Sequence, residues 1–177
     1  MNILAIDPGN VESGIAIMSD EYDLLAFGKI NNVDLLQCRL PVLMHTWHPQ
    51  RVIIEEIASY GMAVGASVFE TCIWIGRFMQ WLSDNFDMDS AEFCPDAFKV
   101  ETVKRKRYIT ELCGDPRAKD KNVKAYLIER FAPGVSNFGK GTRKNPGKFY
   151  GVANDVWSAI GIGTWYIDNF NGNISHT

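Results

Sequence analysis

Asn2-Ile3-Leu4-Ala5-Ile6-Asp7-Pro8-Gly9, followed by Ser13-Gly14-Ile15-Ala16-Ile17-Met18, opens the chain with an apolar run, a turn and a second apolar run. Both runs are short and β-prone, and Pro-Gly supplies turn chemistry, so the pattern predicts a strand, a tight turn and a returning strand. Asp7 closes the first of them. A carboxylate at the end of a buried strand is costly unless it is hydrogen-bonded or holds a cation, which marks a candidate metal or phosphate site. An Asp before Pro-Gly can equally cap the turn through its own side chain, and the tripeptide alone does not separate the two readings.

Two further acids occupy comparable settings. Arg51-Val52-Ile53-Ile54-Glu55-Glu56-Ile57 is a β-branched run that predicts a central strand, again ending in carboxylates. Strand alternation sends Glu55 and Glu56 to opposite faces, so only one of them can face Asp7. Asn154-Asp155 precedes Val156-Trp157-Ser158-Ala159-Ile160-Gly161-Ile162-Gly163, an apolar stretch with small residues that predicts a helix lying close on a sheet. Asp155 falls near the N-terminal end of that helix, where a carboxylate is also an ordinary cap.

Between these landmarks the pattern predicts strands near 2–7, 14–18 and 23–30, a helix near 33–47, a strand near 51–57 and a long helix near 63–85. A short strand around Glu92-Phe93-Cys94, helices near 100–112 and 121–132, a mobile loop from Gly134 to Gly151 and a terminal helix near 153–169 follow. Early hairpin-spaced strands, then strands alternating with helices, imply an α/β mixed sheet with helices on both faces. The 177 residues, 46% of them hydrophobic, fit a single domain spanning 1–177, with no linker or repeat dividing it. The stretch from Phe69 to Trp81 carries apolar residues over more than one helical stripe, which implies a core face and a subunit interface.

The three acidic motifs together resemble those of the RuvC-type Holliday-junction resolvases, a branch of the ribonuclease H-like nucleases. The resemblance implies a five-stranded ribonuclease H-like sheet whose first and fourth strands are neighbours. It assigns Asp7, Glu55 and Asp155 as catalytic metal ligands for Mg²⁺, with Mn²⁺ as a substitute and two ions per subunit. It also implies a homodimer acting on branched DNA, the four-way junction above all. One position departs from the family's pattern: its last acid is Ser158 here if Asp155 is the earlier one, whereas if Asp155 is the last acid, the earlier position is Val152. Ser158 therefore joins the candidate metal ligands. The loop after Glu55 would approach the junction centre, where Tyr60 could stack on a base or anchor its own loop.

Charge distribution agrees with a nucleic-acid partner although the net charge is −3. Residues 99–148 hold 14 of the 18 Lys and Arg and only 5 of the 21 acids. Such a segment is drawn to phosphates by counterion release, although many basic runs are simply solvated faces. The candidate DNA contacts are Lys104, Arg105, Lys106, Arg107, Lys119, Lys121, Lys140, Arg143 and Lys144, and the resemblance, which implies lysines near the active site ahead of the terminal helix, makes Lys104, Lys119 and Lys121 candidates to assist catalysis. Cys38, Cys72, Cys94 and Cys113 show no paired spacing, and no Cys/His zinc pattern occurs, which fits reduced thiols in a cytoplasmic protein. No apolar stretch reads as a membrane span or signal peptide. Two other readings use the same features. An actin-like ATPase shares the Asp-x-Gly turn but needs a second glycine-rich phosphate loop, and a junction-binding protein could have kept the fold while its chemistry weakened.

Overall fold

The computed structural model describes residues 1–58, 63–86 and 98–174, with side chains through 170. Strands β1 (Asn2–Asp7), β2 (Glu12–Ser19), β3 (Leu24–Asn31), β4 (Arg51–Glu56) and β5 (Lys99–Lys104) form one five-stranded sheet in the order β3-β2-β1-β4-β5. β1–β2 and β2–β3 pair antiparallel, while β1–β4 and β4–β5 pair parallel, giving the expected mixed sheet. The parallel register sets Ile6 against Ile54, so the next residues on each strand, Asp7 and Glu55, emerge side by side.

Alternation divides the apolar side chains between two cores. Leu4, Ile6, Val52 and Ile54 face a cluster built with Leu35, Leu40, Met44, Phe78 and Leu82. Those partners come from a π-helical turn (Leu35–Arg39) that follows the short α1 (Asn32–Asp34), from α2 (Leu40–Trp47) and from α3 (Ala66–Asn85). Ile3, Ala5, Ala16 and Ile53 face the opposite cluster, with α4 (Arg105–Cys113), α5 (Asp120–Phe131) and α6 (Val156–Ile174). Asp7 and Glu55 share this second face. Gly163 allows α6 to lie against the sheet, because a Cβ there would sit 2.7 Å from Met18 Sδ.

The structure corrects several sequence expectations. The helix expected near 33–47 contains the π turn, in which the Leu40 amide reaches back to the Leu35 carbonyl just before Pro41. Proline has no amide to donate and its ring crowds the preceding turn, so widening the helix there relieves the conflict. The helix expected over 100–112 starts only at Arg105, and Lys99–Lys104 is a strand instead. Val100 and Val103 have helical spacing, but pairing along the whole of β4 decides the local conformation. The strand expected around Glu92 lies outside the described residues.

The loop expected to be mobile between Gly134 and Gly151 holds a defined course. Gly147 donates to the Lys140 carbonyl at 2.8 Å and Phe149 to the Gly139 carbonyl at 3.2 Å. The Phe149 ring is fully buried, 4.8 Å from the Trp157 ring centre. Gly139 has a positive φ of 77°, and a side chain there would strike Phe149, so glycine is required for the turn to close over that ring. This loop projects Thr142, Arg143 and Lys144 into solvent while its base supports the start of α6.

Candidate active site

The turn after β1 is pinned from beneath. Asn32, completely buried, donates from Nδ2 to the Gly9 carbonyl at 2.8 Å, and its Oδ1 accepts from Ser13 Oγ at 2.7 Å. These bonds fix Asp-Pro-Gly so that Asp7 points at the start of α6. Gly14 makes room there, since a Cβ on it would meet the Asp155 carbonyl oxygen at 2.5 Å. The chain therefore crosses β2 at Gly14 and delivers Asp155 and, one helical turn later, Ser158 to the end of the sheet.

Three acids from three elements thus converge, and their environment opposes their charge. Burial chiefly, then repulsion from Glu55 and Asp155, pushes the Asp7 pKa up to about 8, against the lowering influence of Arg105 and the Ser158 hydroxyl. Burial likewise raises Glu55, partly countered by Arg105. Glu55 Oε1 accepts from Arg105 Nη1 at 2.9 Å, whereas its buried Oε2 has no hydrogen-bond partner among the described residues. Arg105 also pairs with Asp120 at the head of α5. Asp155 Oδ2 lies 2.9 Å from Lys29 Nζ, which also reaches Glu12 Oε2 at 3.4 Å. Tyr108 completes the floor. Its buried hydroxyl interacts with Glu55 and Ser158 without closing a well-formed hydrogen bond, and burial followed by the charges of Glu55 and Asp7 raises its pKa.

The donor set of Asp7, Glu55, Asp155 and Ser158 is all oxygen, which suits a hard divalent cation. The unpartnered Glu55 oxygen and the suppressed ionisation of Asp7 are what a cation would relieve. Among the described residues, however, no three Asp, Glu, His or Cys side chains form a ready-made metal cluster. Lys29 and Arg105 already hold two of the carboxylates.

The basic residues divide. Lys121, Lys124 and Lys140 line a cleft of about 430 Å³ with Asp120, Asn154, Asp155, Trp157 and Ser158, so Lys121 and Lys140 stand beside the acids. Lys104, Lys119, Arg143 and Lys144 are exposed outside that lining. The run Lys104 to Arg107 is not one basic face. Arg105 turns inward to Glu55, Lys106 is exposed, and Arg107 binds Glu111 at 3.1 Å and lies over the Trp165 ring. Glu56 points to the other face and accepts from Thr102 Oγ1 at 3.3 Å. Val152 is wholly buried, while Ser158 borders the cleft. Tyr60 lies outside the described residues.

Comparison with solved structures identifies the fold. The structure of Thermus thermophilus RuvC in complex with a Holliday junction substrate superposes with a TM-score of 0.68 at 14% identity, over 97% of this chain and 96% of that one. The fold is that of a RuvC-type Holliday-junction resolvase. A second structure of Thermus thermophilus RuvC gives a TM-score of 0.66 at 15% identity, covering 97% of each chain. The Fowlpox virus resolvase with its Holliday junction DNA matches at a TM-score of 0.51 and 14% identity, over 96% of this chain and 99% of that one. No protein-family model matches the chain, and no curated protein does so by sequence.

On this resolvase fold, sequence reasoning missed Lys29, Lys124, Tyr108 and the inward turn of Arg105. Lys29 had one legible signal, a lone cation in an otherwise apolar predicted strand. The others depend on which helix faces which strand.

Proposed function

We propose that this chain is a divalent-cation-dependent endonuclease that cuts branched DNA, with the four-way junction as its principal substrate. The observation that carries this reading is the convergence of Asp7, Glu55 and Asp155, from two neighbouring strands and a helix start, at the edge of a lysine-lined cleft. Asp7, Glu55, Asp155 and Ser158 would hold Mg²⁺, or Mn²⁺ in its place. When bound, such an ion supplies an activated water and stabilises charge developing on the phosphate.

The chain's own residues do the rest. Lys121, Lys124 and Lys140 draw a phosphate backbone into the cleft and hold it against the acids. Arg105 keeps Glu55 oriented and supplies fixed positive charge beside it. Arg143 and Lys144, at the tip of the loop before α6, extend the basic track to a neighbouring duplex arm, and Lys104, Lys106 and Lys119 lend charge beyond it. Tyr60 belongs to the same reading as a residue at the junction centre.

Paired cuts call for paired subunits. α3 exposes Phe69 and Ile73, and beside it a groove of about 390 Å³ is lined by Val33, Leu36, Trp74 and Trp81. This apolar surface supports a two-fold homodimer built on α3. Among the described residues no helix is long and apolar enough to cross a membrane. The described cysteines, Cys38, Cys72 and Cys113, are free, and Cys94 lies outside the described residues; thiols kept reduced in the cytoplasm, in a single 1–177 nuclease domain, belong to the same proposal.

A labelled four-way junction incubated with the full chain and Mg²⁺ tests the proposal. Symmetric nicks are expected. A shifted but uncut junction would favour the weakened binding protein, a reading that Ser158 and the Lys29–Asp155 pair keep specific. ATP turnover without cutting would favour the actin-like alternative.

A further inference from the structure

A row of residues crosses the sheet at the level of the acids. Asp7 pairs with Gly14 and Gly14 pairs with Lys29, so Lys29, Gly14 and Asp7 direct their side-chain positions to one face. Glu55 extends the row on the other side of Asp7. Gly14 contributes no side chain, and the Asp155 carbonyl lies directly over it. Lys29 can therefore lean across the gap to reach Asp155 at 2.9 Å, with Glu12 steadying its ammonium at 3.4 Å.

The charges in this row limit what else can enter it. Lys29 is held between Asp155 and Glu12, and Arg105 between Glu55 and Asp120. Among the described residues Asp7 is the acid left with no cationic partner of its own in an ion pair, and Ser158 beside it offers only a neutral hydroxyl. Glu55 still presents a buried oxygen that closes no well-formed hydrogen bond, although the Tyr108 hydroxyl acts on the same carboxylate. One divalent ion would meet Asp7 and that oxygen. A second ion at Asp155 would have to displace Lys29 and bind beside a neutral Ser158.

We propose that this site takes one divalent cation, held by Asp7 and Glu55, and that the Lys29 ammonium occupies the second ion's place at Asp155. The inference rests on the cation-dependent reading above and replaces the pair of ions that the family resemblance implies. Lys29 is thereby a positioning residue. It fixes Asp155 at the head of α6 and sets a permanent positive charge where the missing acid would otherwise have recruited a metal.

Mn²⁺ soaked into crystals of the full chain, with ions counted by anomalous scattering, reads the stoichiometry independently of activity. Electron paramagnetic resonance of the same chain in solution separates an isolated ion from an exchange-coupled pair. Wild type and Lys29→Arg are expected to hold one ion, contacting Asp7 and Glu55. Lys29→Met combined with Ser158→Asp should hold two coupled ions, and Asp7→Asn none in the cleft. Lys29 lies on an edge strand with its side chain 33% exposed, so its substitution retains the fold, and a melting curve verifies folding of the variants that change buried Ser158 or Asp7 before ions are counted. Two ions in the wild type would overturn this proposal and leave the nuclease reading standing. One ion in the double variant would also overturn it, because Lys29 would then not be what excludes the second. No ion in any variant, at Mn²⁺ levels that saturate cleavage of a junction or in the absence of cleavage altogether, would remove the cation-dependent reading along with it.

Discussion

At the scale of single residues, the site depends on acids held where their charge is disfavoured. The folded pKa of Asp7, about 8, exceeds its ordinary 3.8, so between those values the folded state retains a proton that the unfolded chain has lost. Stability without a cation therefore falls as pH rises through that window and is fullest below it. Thermal melts in EDTA should show this decline, Mg²⁺ should offset it most at the alkaline end, and Asp7→Asn should flatten it. The same substitution should raise Tm at pH 8 by several degrees, at roughly 2–4 °C per kcal/mol for a chain of this size. A pH-independent melt in EDTA would contradict the burial argument. In cleavage assays, Asp7→Asn, Glu55→Gln and Asp155→Asn should each lose at least the ~10–100-fold that disturbing even an outer partner costs a metal site, with junction binding retained. Ser158 and Val152 separate the two possible registers of the last motif. Ser158→Asp adds a carboxylate at the cleft and should lower the Mg²⁺ concentration for half-maximal cutting. Val152→Asp buries an unpaired acid, costing about 3–5 kcal/mol, or on the order of 10 °C in Tm. A lower metal requirement in Val152→Asp and none in Ser158→Asp would reverse the register.

At the scale of elements, what was legible in the sequence was what neighbouring residues decide. Asp7, Glu55 and Asp155 could be picked out because each ends a run or precedes one whose periodicity is local. The apolar, glycine-containing run after Asp155 correctly implied close packing on the sheet, and alternation correctly divided Glu55 from Glu56. β5 was misread because Lys99–Lys104 is made a strand by β4, nearly fifty residues earlier in the chain, through parallel pairing that no local window contains. The loop before α6 was misread because its glycines and lysines suggest mobility, whereas one buried ring, Phe149, organises it. Lys29 and Arg105 escaped for a related reason: their partners are chosen by strand register and helix placement. The basic residues now sort into testable groups. Replacing Lys121, Lys124 and Lys140 by Ala should flatten the slope of log K against log salt by about 0.9 for each phosphate no longer neutralised. Arg107→Ala should leave that slope unchanged, since its guanidinium is committed to Glu111 and Trp165. An equal effect from both sets would mean that the lysine-lined cleft is not the track DNA follows.

At the scale of the whole molecule, the sheet order unites the site and the helices on its two faces separate two tasks. The α4–α5–α6 face carries the acids and the cleft, whereas the opposite face offers the apolar surface of α3. Phe69→Asp with Ile73→Asp should convert a dimer to a monomer in sedimentation equilibrium without lowering Tm by more than a degree or two, because both side chains are exposed. A dimer that persists would exclude this face as the contact. Monomers should nick a junction on one strand without coordinating the second cut. Much of this architecture followed from the order of strands and helices along the chain, and the two apolar stripes of α3 were legible too, but which stripe faces the core was not, since both carry the same residue types. The central claim is that Asp7, Glu55 and Asp155 form a cation-dependent centre for cutting four-way DNA. Its most direct measurement is a single-turnover cleavage time course on an end-labelled four-way junction with Mg²⁺, run beside Asp7→Asn under conditions where both proteins bind the junction fully. Symmetric nicks with wild type, their absence in EDTA and their loss in Asp7→Asn are the predicted result; equal cutting by both proteins, or a fully bound junction that wild type never cuts, would contradict it.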